Sequence, residues 1–217
     1  MKQVALIVAG GNGTRMKTKI PKQFLLLNGI PVLMHTLKQF ANFNQIILVL
    51  PKKEIENWHF LCEKFRFNLK HIVVTGGLSR FSSVNEGLKM ITENSIVAIH
   101  DGVRPLISKK LISLLIKKVK TGYGIIPVLP VKDSIRKISL DKTKSIKRES
   151  LYIVQTPQCF LSNEIKNAYK KTYKLCFTDD ASVFEKNNGK ILCVDGEEKN
   201  IKITTKDDLK IAKVLMQ

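Results

Sequence analysis

Between residues 9 and 24 the chain reads AGGNGTRMKTKIPKQF, a run whose residue types describe a site for a polyphosphate. Ala9, Gly10, Gly11 and Gly13 carry almost no side chain, so a ligand can approach the backbone closely and meet its N–H groups. Arg15 and Lys22 add two cations seven residues apart, and Pro21 fixes the backbone just before the lysine. Two familiar phosphate loops do not fit. The dinucleotide fingerprint needs a third glycine, but Gly11-Asn12-Gly13 is followed by Thr14, Arg15 and Met16. The P-loop needs Gly-Lys-Ser/Thr after four intervening residues, and no such triplet occurs.

Such a loop needs a scaffold. VALIV (Val4 to Val8) is a continuous aliphatic run, the pattern of a strand buried on both faces of a parallel sheet. QIILVLP (from Gln45), HIVVTGG (from His71), SIVAIHDG (from Ser95) and GYGIIPVLP (from Gly122) repeat it. Helical spacing falls between them over Pro31–Ala41, Lys53–Phe65, Ser82–Thr92 and Ser108–Val119. Alternation of this kind predicts an α/β fold: a Rossmann-like, mostly parallel sheet with helices on both faces. Ligands of such sheets bind at the carboxyl ends of the strands. AGGNGTR, GGLSR and HDGVRP sit at those ends. From Val131 to Gln155 apolar and polar residues alternate about a polar centre, Asp141 to Lys144, which predicts a protruding β-hairpin arm with little apolar surface of its own. A second copy of the chain is the simplest surface for it to pack on. Helices are expected near Ser162–Tyr169 and Asp179–Glu185, then a strand KILCVDG and a last helix with Thr205 as N-cap. The whole, 1–217, reads as one globular domain with 131–155 as the arm.

Composition bounds the alternatives. With 44% hydrophobic residues over 217, the chain can bury a sizeable core. No apolar stretch approaches the roughly 20 residues that span a bilayer. Met1-Lys2-Gln3 runs straight into the first strand, so we expect no signal or transit peptide. Cys62, Cys159, Cys176 and Cys193 stand far apart with no C-x-x-C pair, the usage of reduced thiols in a cytoplasmic protein. The net charge of +19 raises the alternative of a nucleic-acid-binding protein. Against it, the lysines are spread along the whole chain, with no basic tail and no basic–aromatic repeat. We expect neither nucleic acid nor membrane as a partner. In a chain that uses Lys by default, its few arginines mark places where a planar fork is useful.

AGGNGTRM, PKQFL, GGLSRFSSV, HDGVRP, QTPQCF, TDDAS and NIKIT occur in order along the chain. Together they resemble the cytidylyltransferases acting on sugar-alcohol phosphates, over essentially the full length. The resemblance implies attack of a polyol phosphate oxygen on the α-phosphorus of CTP, with loss of pyrophosphate. GGLSRFSSV, TDDAS and the short arm favour a methylerythritol phosphate as acceptor over ribitol 5-phosphate. It also implies roles. Arg15 and Lys22 would be catalytic cations, with Arg148 and Lys202 in the same machinery. Ala9, Gly10, Gly11, Gly13, Gly77, Ser83, Asp101 and Gly102 would bind CTP. Asp101, Ser134, Arg148, Thr156 and Lys202 would bind the acceptor, Ser134 and Arg148 coming from the arm of a partner in a homodimer. Mg²⁺ or another divalent cation would be held mainly by substrate phosphates, with no protein metal site. Arg104 reads as a structural ion pair, His100 as a packed strand residue, and Asp179 and Asp180 as a helix's first turn. Four residues depart from the family pattern: Gly102 and Val103 replace two alanines, and Ser134 replaces a threonine. Leu78 also stands where a polar residue is frequent, so a cytosine contact there must come from backbone.

Overall fold

The computed structural model describes residues 1–10, 20–140, 142–172 and 177–216. In chain order the elements are β1 (Lys2–Val8), β2 (Leu26–Leu27), β3 (Ile30–Pro31), α1 (Val32–Gln39), β4 (Gln45–Leu50), α2 (Ile55–Lys64) and β5 (Ile72–Thr75). Then follow α3 (Arg80–Lys89), β6 (Ser95–Asp101), α4 (Lys109–Lys118), β7 (Tyr123–Pro130), β8 (Ile135–Ser139), β9 (Lys142–Ile146) and β10 (Tyr152–Val154). β11 (Gln158–Leu161), α5 (Ser162–Tyr169), α6 (Asp180–Glu185), β12 (Lys190–Asp195) and α7 (Lys206–Leu215) complete the chain.

The main sheet runs β10-β7-β11-β6-β1-β4-β5, with β12 alongside β7. β1, β4, β5 and β6 are parallel neighbours, and β12 is parallel to β7. Successive residues of β1 show why VALIV had to be apolar throughout. Ala5 and Ile7 face a core built with Leu33, Leu37 and Trp58 from α1 and α2 and Leu115 from α4. Val4, Leu6 and Val8 face the opposite core, with Val84 and Leu88 of α3, Ile165 of α5 and Phe184 of α6. The strand period of two thus feeds both layers.

Three features differ from the sequence expectation. β11 is an antiparallel strand inserted between β6 and β7, where unbroken βαβ alternation would make those two neighbours. The arm is shorter than Val131–Gln155: the hairpin is β8–β9, and Tyr152–Val154 return to the main sheet against β7. Its turn also comes earlier than Asp141 to Lys144. Ser139 pairs with Lys142, Leu140 takes a positive φ of 48°, and Lys142 to Lys144 are already strand.

Helix starts follow local chemistry. Ser79, Asp179 and Thr205 cap α3, α6 and α7, each accepting from the N–H three residues on while a serine or aspartate side chain there reaches back. Each cap stabilises its helix by about 1 kcal/mol. Asp179 therefore lies before the helix rather than in its first turn. Cys62, Cys159 and Cys193 are free thiols; Cys176 lies outside the described residues. No helix among the described residues is long and apolar enough to cross a membrane.

Candidate active site

At the carboxyl ends of β1, β5 and β6 lie two adjoining hollows of about 290 and 250 Å³. Arg80, Asp101 and Lys202 line both, so these three side chains form the ridge where the hollows meet. Of the residues singled out in sequence, Ala9, Gly10, Lys22, Gly77 and Ser83 line the larger hollow. Thr156 lines the smaller. Gly11, Gly13 and Arg15 lie outside the described residues. Ser134 and Arg148 sit on the arm and line neither hollow in their own chain.

Local sequence explains each placement. Pro21 (φ −55°, ψ 137°) leads into a single 3₁₀ turn, Lys22–Phe24. Phe24 is buried and stacks on Trp58 at 6.1 Å, while the Gln23 amide donates to Ala9 O at 3.0 Å. The turn is thus tied to the core and to the glycine loop, and Lys22, only 9% exposed, is presented from it. Gly77 has no alternative: a Cβ there would lie 2.4 Å from Ser82 Oγ in the capping box of α3. That close approach turns Gly77 O toward Ser83, whose hydroxyl donates to it at 3.3 Å. Leu78 points fully into solvent, consistent with backbone doing the work in this turn.

Asp101 closes β6 and is nearly buried, faced by Lys202 Nζ at 2.9 Å, Arg104 Nε at 3.4 Å and Arg80 Nε at 3.6 Å. Burial would push its carboxyl up, but Arg80, Lys202 and Arg104 together outweigh that and hold it well below the usual carboxylate range. Arg104 also donates to Asn200 O at 2.8 Å. Asn200 in turn donates to Thr156 O at 2.9 Å, and Ile203 N–H to Val103 O at 2.9 Å, which seats the NIKIT segment and with it Lys202. His100 is wholly buried, and burial pushes it down to about 4, so its ring is neutral. Because Arg104 O can only accept, His100 Nε2 donates to it at 3.0 Å, and Nδ1 accepts from Thr156 Oγ1 at 3.0 Å. Thr156 Oγ1 accepts from Asp101 N–H at 3.1 Å.

That chain of bonds modifies one expectation. With its proton directed at His100, the Thr156 hydroxyl has no donor for an acceptor phosphate, and it holds Asp101 in place instead. Gly102 differs too. It lines neither hollow, its N–H donates to Val8 O at 2.9 Å and its carbonyl accepts from Thr36 at 3.0 Å. A Cβ there would meet Ala9 Cβ at 2.8 Å, so Gly102 lets β1 and β6 close together beneath the loop. Arg80, to which sequence reasoning assigned no role, stands on the ridge beside Asp101. Its one sequence signal was its type, an arginine in a lysine-rich chain, placed at a strand's carboxyl end.

A cation-lined cleft at the carboxyl ends of a mostly parallel sheet, with Ala9 and Gly10 after the first strand in its wall, fits the class of the nucleotidyltransferases. The particular family follows from comparison with known proteins. The family 2-C-methyl-D-erythritol 4-phosphate cytidylyltransferase (IspD) matches residues 3–217. The protein of that name from Azobacteroides pseudotrichonymphae is 46% identical, with all of both chains covered. Among solved structures, 4-diphosphocytidyl-2C-methyl-D-erythritol synthase from Anaerococcus prevotii is 32% identical with a TM-score of 0.81, over 100% of this chain and 96% of that one. The Francisella tularensis 2-C-methyl-D-erythritol 4-phosphate cytidylyltransferase superposes with a TM-score of 0.82 at 28% identity, over 99% and 100%. The chain belongs to the 2-C-methyl-D-erythritol 4-phosphate cytidylyltransferase family.

Proposed function

We propose that the chain is one catalytic unit that transfers a cytidylyl group from CTP to 2-C-methyl-D-erythritol 4-phosphate, with CTP in the larger hollow and the acceptor in the smaller. The observation that supports this reading is the shared ridge, where Asp101 stands with Arg80 and Lys202 between the two hollows. The loop backbone from Ala9 and Gly10 accommodates the nucleotide, and the Gly77 carbonyl with Ser83 reads the cytosine edge. An oxygen of the acceptor phosphate attacks the α-phosphorus, a new P–O bond forms, and the bond to the β-phosphate bridging oxygen breaks to release pyrophosphate. Negative charge grows on the α-phosphoryl oxygens as this happens, and Lys22, with Arg15, offsets it.

Lys202 grips the acceptor phosphate, and Asp101 accepts from hydroxyls of ribose or acceptor. A divalent cation arriving with the triphosphate would supply further neutralisation. Its fit to the protein is indirect: among the described residues no group of three His, Cys, Asp or Glu side chains could hold it, and Asp101 is already faced by three cations.

The arm completes the acceptor site of a second copy. Its support is exposed apolar surface: Ile138 is 72% and Leu140 97% exposed, and Tyr152 and Ile153 on the adjoining edge strand are more than half exposed. A two-stranded ribbon bearing such residues gains stability by docking. Arg148, exposed and donating to Lys132 O, would then present its fork to the neighbour's acceptor phosphate, and Ser134 its hydroxyl.

The test separates the hollows. Lys202→Ala and Arg148→Ala should each raise KM for the polyol phosphate by about tenfold or more, with CTP affinity by calorimetry nearly unchanged. Loss of CTP binding in both variants would overturn the division of the cleft.

A further inference from the structure

The proposed reaction gives Arg80 nothing to do, yet it lines both hollows and is held by a bidentate pair. It is the first residue of α3, directly after the Ser79 cap. Nη1 and Nη2 donate to the two oxygens of Asp180 at 2.8 and 2.7 Å. Asp180, wholly buried at the start of α6, also accepts the Tyr169 hydroxyl of α5 at 2.6 Å. Phe81, the next residue, stacks on the Tyr169 ring at 4.6 Å. One guanidinium therefore locks α3, α5 and α6 together and still turns its Nε toward Asp101.

The three cations around Asp101 differ in freedom. Arg104 is almost buried and engaged with Asn200 O. Arg80 is clamped by a bidentate pair, a geometry that resists displacement. Lys202 has the most exposed side chain of the three, at 38%, and a flexible stem. In the reaction proposed above, Lys202 grips the acceptor phosphate, and that contact would draw it off Asp101.

We infer that Arg80 is a positioning residue: held by Asp180 and Tyr169, it is the fixed counter-cation that keeps the Asp101 carboxylate charged and aimed into the cleft once Lys202 has moved to the acceptor phosphate. This rests on the reading of Lys202 and the acceptor given above. A lysine at position 80 could not serve, because a single ammonium cannot meet both oxygens of Asp180 and also face Asp101.

The experiment is a double-mutant cycle between Arg80→Met and Asp101→Asn, read as kcat/KM for 2-C-methyl-D-erythritol 4-phosphate across pH, with melting temperatures alongside. Alone, Arg80→Met should lower kcat/KM by about tenfold or more and leave CTP affinity within about threefold. It should also move the acid limb of the profile to higher pH. Asp101 is faced by Arg80 from α3, by Arg104 from the turn after β6 with His100 beside it on that strand, and by Lys202, and losing one cation lets its carboxyl take up a proton sooner. In the Asp101→Asn background the same change should cost less than about twofold. Should Arg80→Met fail to fold, Arg80→Met with Asp180→Asn removes both charges of the pair and carries the same comparison. Equal losses in both backgrounds with an unmoved acid limb would overturn the inference and leave Arg80 a strut between helices. Absence of turnover in the unaltered enzyme would instead overturn the assigned reaction.

Discussion

Lys22→Ala should lower kcat by about 10²-fold or more, with CTP affinity changed far less. The lysine is held before substrate arrives: Pro21 sets the backbone, Gln23 is tied to Ala9 O, and Phe24 is stacked on Trp58. A cation fixed in a nearly buried turn needs no reorganisation as charge develops on the α-phosphoryl oxygens, which is where preorganised electrostatics act. A 10²-fold loss corresponds to about 2.7 kcal/mol of transition-state stabilisation. Arg15→Ala should behave alike, on the strength of the loop sequence, since Arg15 lies outside the described residues. Single-turnover kinetics give the chemical step directly, and a near-normal rate in Lys22→Ala would remove that residue from the role.

Mixing two crippled chains should restore activity. Lys22→Ala damages the site in the body of its own chain, whereas Arg148→Ala damages the site that its arm reaches. If arms are exchanged, a mixed dimer carries both lesions in one site and leaves the other intact, so turnover at limiting acceptor should rise toward half the normal value per mixed dimer. If each arm serves its own chain, every site keeps one lesion and mixing restores nothing. The exposed Ile138, Leu140, Tyr152 and Ile153 are the surface through which the copies would meet. Activity that stays flat after subunit exchange has been verified by mass would contradict the exchanged arm.

Local pattern carried much of the architecture. VALIV had to be a doubly buried strand because every residue in it is apolar, and both core layers are built on it. Thr205 was legible as a cap because hydroxyls compete for the free N–H groups at helix starts. β11 was not legible. QCFL is four residues long and follows a proline, and its place between β6 and β7 is decided by partners about 60 and 35 residues away, not by its own periodicity. The arm's turn lies elsewhere for a related reason: Lys142 to Lys144 are polar, yet pairing with β8 outweighs the low strand propensity of the two lysines. In the site, residue types foretold a cleft at the strand ends, but not its wiring. Arg80 and Asp180 are 100 positions apart, and only folding reveals that they share a bidentate bond. Thr156 was recognisable by its motif, whereas the direction of its proton depends on the buried His100.

The central claim is cytidylyl transfer at the junction of the two hollows, and product formation tests it most directly. The purified chain, given CTP and Mg²⁺, should release one pyrophosphate for each CDP-linked methylerythritol formed from 2-C-methyl-D-erythritol 4-phosphate. Ribitol 5-phosphate should give a kcat/KM lower by about 10²-fold, the range that differential binding of small polar groups supplies. Turnover with ribitol 5-phosphate equal to or faster than with the methylerythritol phosphate, or release of pyrophosphate with no cytidylylated product, would contradict it.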